Sequence, residues 1–126
     1  MTTKFKVLVC GGRDYHNYEK VREVLNFIKH ICEENVISKS EIVIIHGGAK
    51  GADSLAGRWA AENKITSEVY IADWTTYGKS AGPIRNELML KTGTPDIVVA
   101  FPGGKGTNHM IKISKKKNVE VYEIDT

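Results

Sequence analysis

The sequence predicts one α/β domain in which a doubly wound parallel sheet of about five strands carries helices on both faces. Short runs rich in β-branched residues alternate with helical patterns along the chain. Several of these runs are continuously apolar, which is typical of strands that are covered on both faces. The length of 126 residues suits one domain, and we expect that domain to span residues 1–126.

The predicted strands are residues 5–10, 41–45, 67–72, 96–101 and 119–124. The first, second and fourth contain the unbroken runs Val-Leu-Val-Cys, Ile-Val-Ile-Ile and Ile-Val-Val-Ala-Phe. Right-handed crossovers between these strands give a Rossmann-like sheet, in which the first and fourth strands are neighbours. A ligand crevice is then expected beyond the carboxyl ends of these two strands.

Four helical patterns separate the strands. The first is an apolar stripe with spacings of three and four, formed by Tyr18, Val21, Leu25, Ile28 and Cys32. The second covers residues 53–63, and the third opens at Pro83 and ends before Gly93, a predicted left-handed cap. The fourth follows Thr107 as N-cap and ends in three lysines, 115–117, which suit the negative end of a helix dipole.

Composition and charge exclude several classes of protein. Hydrophobic residues make up 41% and charged residues 26%, as in folded proteins, and no apolar run approaches the roughly 20 residues that span a bilayer. A net charge of +3 is small for a nucleic-acid binder. Cys10 and Cys32 lie in apolar patterns and are predicted to be buried thiols, and the histidines have no metal-ligand spacing. We therefore expect a cytoplasmic protein without a disulfide or a metal site.

Three glycine-rich turns follow predicted strands, at residues 11–15, 46–53 and 102–107. Glycines let backbone N–H groups approach an anion closely, and a helix N-terminus adds partial positive charge. Together with Arg13, Lys50 or Lys105, these turns predict a cradle for phosphate or pyrophosphate. One glycine-rich turn alone would indicate only turn chemistry, whereas three at the same sheet edge favour a binding site.

Two common nucleotide motifs are absent. The pattern G-x-G-x-x-G does not follow the first strand. Gly78-Lys79-Ser80 resembles the end of a P-loop, but Asp73 stands where the first glycine of that motif belongs. The sequence therefore does not predict an ATPase.

Residues 72–87 connect the third strand to the third helix and are rich in polar and aromatic side chains. Trp74 or Tyr77 could stack on a base, and Arg85 could bind a phosphate. The alternative is a packed loop in which Arg85 pairs with an acid and Trp74 covers the core. His46 is predicted to stabilise its own turn by a hydrogen bond rather than to act in catalysis.

The site residues follow from these turns and from this connection. The candidate ligand-binding residues are Gly11, Gly12, Arg13, Asp14, His46, Gly47, Gly48, Lys50, Gly51, Asp53, Trp74, Lys79, Arg85, Asn86, Pro102, Gly103, Gly104, Gly106 and Thr107. The candidate catalytic residues are Arg85, Glu87 and Asp53.

The motifs resemble the YspA-related family of the SLOG superfamily, which also includes the Lonely Guy proteins and DNA-processing protein A. The resemblance rests on Gly-Gly-Arg-Asp-Tyr, His-Gly-Gly-Ala-Lys-Gly-Ala-Asp, the segment 72–87 and Ala-Phe-Pro-Gly-Gly-Lys-Gly-Thr, and covers residues 6 to about 121. It implies a Rossmann-like fold and the binding of nucleotides or nucleotide-derived ligands, including NAD- or ADP-ribose-related compounds.

The resemblance also implies a possible reaction. Lonely Guy enzymes hydrolyse the N-glycosidic bond of a nucleoside monophosphate with the glutamate of Pro-Gly-Gly-x-Gly-Thr-x-x-Glu. Here that position is Met110. The resemblance implies that Arg85 is the counterpart of an arginine that serves those enzymes. Oxocarbenium-like chemistry needs a carboxylate, which Glu87, Asp53 or Asp14 would have to supply.

Three functions remain open from the sequence. The first is a nucleotide-derivative-binding domain of the sensor or sequestering type, with phosphates on residues 47–51 and 103–107. The second is a nucleotide-processing hydrolase that uses Arg85 with Glu87 or Asp53. The third is a single-stranded nucleic-acid-binding module, which the low net charge disfavours. A nucleotide or an NAD/ADP-ribose-type compound is the expected ligand, and a homodimer is the expected assembly.

Overall fold

The computed structural model describes residues 3–34 and 40–126. Its strands are β1 (Thr3–Cys10), β2 (Ser40–His46), β3 (Ser67–Val69), β4 (Ile97–Ala100) and β5 (Glu120–Glu123). Its helices are α1 (Tyr18–Glu34), α2 (Ala52–Glu62), α3 (Trp74–Tyr77), α4 (Ala81–Lys91) and α5 (Lys105–Lys116), with a 3-10 turn at Gly78–Ser80.

The strands form one parallel sheet in the order β3-β2-β1-β4-β5. Val7 on β1 lies in register between Ile44 on β2 and Ile97 on β4. The predicted Rossmann-like class is confirmed, and β1 and β4 are adjacent as expected. The chain leaves β1 toward β2 on one side and leaves β4 toward β5 on the other side. These two connections diverge, so a crevice opens at the carboxyl ends of β1 and β4.

The alternation of side chains along β1 divides the core into two layers. Val7 and Val9 pack with Val21 and Leu25 of α1 on one face. Leu8 and Cys10 pack on the other face with buried residues of α4 and α5. Both thiols, Cys10 and Cys32, are buried and free, as the apolar patterns predicted. Helices therefore cover both faces of the sheet, which explains why the central strands are apolar throughout.

Several boundaries in the second half of the chain differ from the prediction. Strand β3 ends at Val69 rather than at residue 72, because its partner β2 ends at His46 and only Tyr70 N–H makes one further bond, to His46 O at 2.9 Å. The left-handed residue after α4 is Thr94, with φ 46°, and not Gly93.

The connection between β3 and α4 is largely helical. It contains α3 and the 3-10 turn, and Asp73 caps α3 by accepting a 3.1 Å hydrogen bond from Thr76 N. Helix α4 then begins at Ala81, two residues before the predicted start at Pro83.

Helix α5 also begins earlier than the sequence suggested. Its N-cap is Gly104, so the predicted N-cap Thr107 lies inside the first turn of the helix and is buried. Within the described residues, no helix has both the length and the apolar character that crossing a membrane requires.

Three glycine-rich turns meet around the backbone of Gly12. Its N–H donates to Pro102 O at 2.9 Å, and its carbonyl accepts from Ala52 N at 3.1 Å. A Cβ on Gly51 would lie 2.1 Å from Gly12 O, and a Cβ on Gly103 would lie 2.6 Å from Gly12 N. These glycines are therefore needed for contact between the turns, and this contact places the N-termini of α2 and α5 at the same edge of the sheet.

Gly51→Ala is expected to destabilise the protein by about 2–4 kcal/mol. Gly51 has a φ of 79°, and the methyl group of an alanine there would collide with the backbone of Gly12 and Arg13. Gly106→Ala is the matched control, since a Cβ there meets open space in a helix, where alanine is favoured over glycine by about 0.5–1 kcal/mol. Urea denaturation measures both, and an unchanged midpoint for Gly51→Ala would contradict the packing described above.

Candidate functional site

A cleft of about 650 Å³ opens at the carboxyl ends of β1 and β4. It lies where the sheet topology places a ligand crevice. The site residues predicted from the sequence that line it are Gly11, Gly12, Arg13, Asp53, Trp74, Lys79, Arg85, Asn86, Gly104, Gly106 and Thr107. The cleft is also lined by Cys10, Ala49, Gly82, Pro83, Met89, Lys105 and His109.

Asp53 lies in the first turn of α2, and its carboxyl reaches back to the turn between β2 and α2. Its Oδ2 accepts hydrogen bonds from Gly47 N at 3.1 Å and from Ala49 N at 3.2 Å, and the residue is 7% exposed. Burial raises the pKa of this carboxyl, while the two backbone bonds and the charges of Arg85 and Arg13 act in the opposite direction. The side chain of Asp53 therefore occupies the turn that the sequence predicted to bind phosphate, since it already accepts from the N–H groups of Gly47 and Ala49.

His46 completes the same turn. Its Nδ1 accepts a 3.0 Å hydrogen bond from Gly48 N, and burial lowers the pKa of the ring. The hydrogen bond that was expected to stabilise this turn is present. His46, Gly47, Gly48 and Gly51 do not line the cleft, so these residues shape the turn behind it.

Arg85 projects from the first half of α4 and is held by two hydrogen bonds. Its Nη1 donates to Gly47 O at 2.7 Å, and its Nε donates to Asn86 Oδ1 at 3.0 Å. Burial lowers the pKa of the guanidinium, and the nearby Asp53 charge partly offsets this. Among the residues that the structure describes, the ion pairs within 4.0 Å do not include Arg85, which leaves donors of its guanidinium for a ligand.

The N-terminus of α5 is the open end of the site. Its N-cap, Gly104, has no side chain to accept from the first backbone N–H groups. A Cβ on Gly104 or on Gly106 would meet nothing within 4 Å, so these two glycines are not required by packing. Since the first N–H groups of a helix lack partners in the helix, this end can accept an anion.

Aromatic and basic side chains form the rim of the cleft. Trp74 is 48% exposed, and the Arg13 guanidinium carbon lies 5.4 Å from the centroid of a Trp74 ring. This exposure disagrees with the alternative in which Trp74 covers the core. Tyr77 is also half exposed but does not line the cleft. A planar group entering the cleft would first meet Trp74 and Arg13.

Glu87 is the clearest correction to the predicted site. It lies on the exposed side of α4, 3.9 Å from Lys117 Nζ, and it does not line the cleft. Asn86 and Glu87 are adjacent in sequence, and the turn of α4 directs them to different faces. Lys50, Asp14, Pro102 and Gly103 also lie outside the lining of the cleft.

Burial also determines what Cys10 and Met110 can contribute to the site. Cys10 lies on the wall of the cleft, but burial and the charge of Asp53 raise the pKa of its thiol to about 12. The thiol is therefore protonated at neutral pH and is a poor nucleophile. Met110, at the position of the Lonely Guy glutamate, is fully buried in the core formed with α4. The described residues contain no group of three or more His, Cys, Asp and Glu side chains arranged to hold a metal ion.

His109 was not among the site residues predicted from the sequence. Its ring lines the cleft, and its Nδ1 lies 3.1 Å from Asn86 Nδ2. His109 follows Lys105 by four positions in α5, so the two side chains share one face of the helix, and both line the cleft.

The fold and this cleft define a Rossmann-like α/β protein with a basic crevice at the topological switch point. The family model of YAcAr, the YspA, cpYpsA-related SLOG family, matches residues 5–77. Gene 61 protein of Mycobacterium phage D29 is 35% identical over 123 residues, which cover 92% of this chain and 93% of that protein. The chain belongs to the YspA, cpYpsA-related SLOG family. Membership suggests that its ligand is related to nucleotides.

A solved structure supports the same fold. The X-ray structure of TM1055 superposes with a TM-score of 0.66 at 17% identity, and the match covers 93% of this chain and 72% of that chain. At this level of identity the similarity concerns the arrangement of strands and helices.

Asp53→Asn is expected to change how stability depends on pH. Because the pKa of Asp53 in the folded state lies above its ordinary value of 3.8, the folded protein binds this proton more tightly than the unfolded chain does. The carboxyl therefore stabilises the fold most below pH 3.8, and this contribution is lost as the pH rises through the folded-state pKa. Relative to Asp53→Asn, the wild type should become less stable over this window.

Urea denaturation of both proteins across that pH range measures the difference in unfolding free energy. The variant removes one titrating group and retains the shape of the side chain, so the other ionisable groups largely cancel in the comparison. A difference that grows in favour of the wild type with rising pH would contradict the expectation.

Proposed function

We propose that this protein binds an anionic, nucleotide-derived ligand in the cleft and acts as a sensor or sequestering domain. The observation that carries the proposal is the charge of the cleft wall. Arg13, Lys79, Arg85 and Lys105 face one carboxyl, that of Asp53, around a space of about 650 Å³. A cleft of this size falls within the range of small-molecule sites, and its cations favour a ligand with phosphate groups.

The phosphate is expected at the N-terminus of α5. The open N–H groups there, the partial positive charge of the helix and the side chain of Lys105 favour an anion. The turn at residues 47–51 was expected to hold a second phosphate, but Asp53 already accepts from its N–H groups. Arg85, held beside that turn, supplies the second point of contact.

The base or ribose is expected beside Trp74. This ring is half exposed at the rim, where stacking on a planar base would bury it and displace weakly bound water. An NAD- or ADP-ribose-type compound would place its pyrophosphate between the α5 end and Arg85. A thermal-shift screen of AMP, ADP, cyclic nucleotides, NAD and ADP-ribose identifies the class, since a ligand at 100 times its Kd adds about 2.7 kcal/mol to stability.

Gly104→Asp is expected to weaken binding of the ligand found in that screen by at least about tenfold, which corresponds to roughly 1.4 kcal/mol. The new carboxylate would lie at the N-cap of α5, repel the phosphate and accept from the same N–H groups. The fold should be retained because the added side chain meets open space.

Asn108→Asp is the matched control for this substitution. It adds the same charge to an exposed position of the same helix, outside the lining of the cleft. Isothermal titration calorimetry compares the two variants with the wild type. An affinity of Gly104→Asp equal to that of the wild type would rule out the α5 end as the phosphate site.

A second function is favoured by one specific feature, the carboxyl of Asp53 inside a nucleotide-sized cleft. Its Oδ2 is bound by two N–H groups, while its Oδ1 forms no hydrogen bond to the described residues. A nucleotide N-glycosidase would need such a group near the anomeric carbon. With Glu87 outside the cleft, Asp53 with Arg85 is the remaining pair of the candidates considered.

Chromatography of the protein incubated with nucleoside monophosphates tests this second function. A hydrolase would release free base from one of them, and Asp53→Asn would abolish the release. If the wild type yields no base or ribose phosphate while still binding the ligand, the protein is a binding domain.

A further inference from the structure

Three side chains form a chain of hydrogen bonds along one wall of the cleft. Arg85 Nε donates to Asn86 Oδ1 at 3.0 Å. The amide nitrogen of Asn86 lies 3.1 Å from His109 Nδ1 and donates to Gly106 O at 3.3 Å. Asn86 is 5% exposed, so its amide is held between α4 and the first turns of α5. The network joins the cation of the proposed site to a histidine that the sequence did not identify.

The chemistry of these groups fixes the direction of each bond. An arginine nitrogen can only donate, so the Asn86 oxygen must face Arg85 and its NH₂ group must face α5. Both protons of that NH₂ are then directed to acceptors, Gly106 O and His109 Nδ1. His109 Nδ1 can accept only when it carries no proton. The neutral ring must therefore carry its proton on Nε2.

His109 Nε2 is the ring nitrogen that has no hydrogen-bond partner among the described residues, and the ring borders the cleft. Arg85 has further guanidinium donors on the same wall. This wall thus presents donors from Arg85 and from His109.

We propose that His109 is a ligand-binding residue, whose Nε2–H donates to an anionic oxygen of the ligand, and that Asn86 is the positioning residue that holds it in this tautomer. The inference rests on the proposed function, since it assigns a specific contact within that cleft. It predicts a preference for ligands that offer a hydrogen-bond acceptor at this wall, such as a phosphate oxygen, over analogues that offer only a donor there.

The tautomer can be tested without a ligand. Nitrogen-15 NMR of the free protein is expected to show that the neutral ring of His109 carries its proton on Nε2. His46 is an internal reference, because its Nδ1 accepts from Gly48 N and requires the same tautomer. Asn86→Asp replaces the donor by an acceptor and should move the proton of the neutral His109 ring to Nδ1. A His109 ring protonated at Nδ1 in the wild type would overturn the assignment.

Two substitutions of His109 separate a binding role from a structural one. In His109→Asn the shorter side chain ends near the position of Nδ1, so its oxygen can still accept from Asn86 but no donor reaches the ligand. In His109→Gln the amide nitrogen reaches about the position of Nε2 and can still donate. Binding of AMP, ADP, ADP-ribose and inorganic pyrophosphate is measured for each protein by calorimetry.

The expected result is that His109→Asn weakens binding of the probe that the wild type prefers by about tenfold to 100-fold, as for loss of one hydrogen bond to a charged group. His109→Gln should retain affinity within about threefold. Equal binding by all three proteins, or greater loss in His109→Gln, would overturn the inference while leaving the proposed function intact. If the wild type binds neither these probes nor NAD or a cyclic nucleotide, the proposed function fails, and the NMR result still decides the role of Asn86.

Discussion

The site depends on the backbone of Gly12, which joins three turns from different parts of the chain. Its N–H bonds the turn after β4, and its carbonyl accepts from the first residue of α2. These contacts require that no Cβ stands at Gly51 or Gly103, where each would lie within 2.6 Å of a Gly12 backbone atom. Close approach of the three turns is what places two helix N-termini beside one another at the edge of the sheet.

The glycines of this edge therefore have two different physical roles. Gly51 and Gly103 allow the turns to touch, whereas Gly104 and Gly106 leave the end of α5 open. The turn before α2 offers N–H groups as well, but the carboxylate of Asp53 accepts from them. The carboxyl of Asp53 thus occupies one turn, and the proposed external anion would bind at the other.

Helix α4 supplies the remaining chemistry. Arg85 is held by Gly47 O and Asn86, and Asn86 extends the network to His109. The position of the Lonely Guy glutamate holds Met110, which is buried in the core against α4. The carboxyl that remains in the cleft comes from α2 instead. This distribution of charge favours capture of an anion over a reaction that depends on the missing glutamate.

The sequence by itself determined the class of fold and the position of the cleft. Continuously apolar strands separated by amphipathic helices require a covered parallel sheet, and the order of such a sheet places the crevice beyond β1 and β4. The glycine-rich turns, together with the connection at residues 72–87, then identified most of the cleft wall, including Arg13, Arg85 and Asn86.

The tertiary structure alone decided which glycines pack and which remain open, because that depends on distances between turns that are far apart in sequence. It placed His109 at the cleft on the same face of α5 as Lys105, and it turned Glu87 outward toward Lys117. These positions depend on the phase of each helix and on contacts between distant segments, and neither can be derived from the sequence alone.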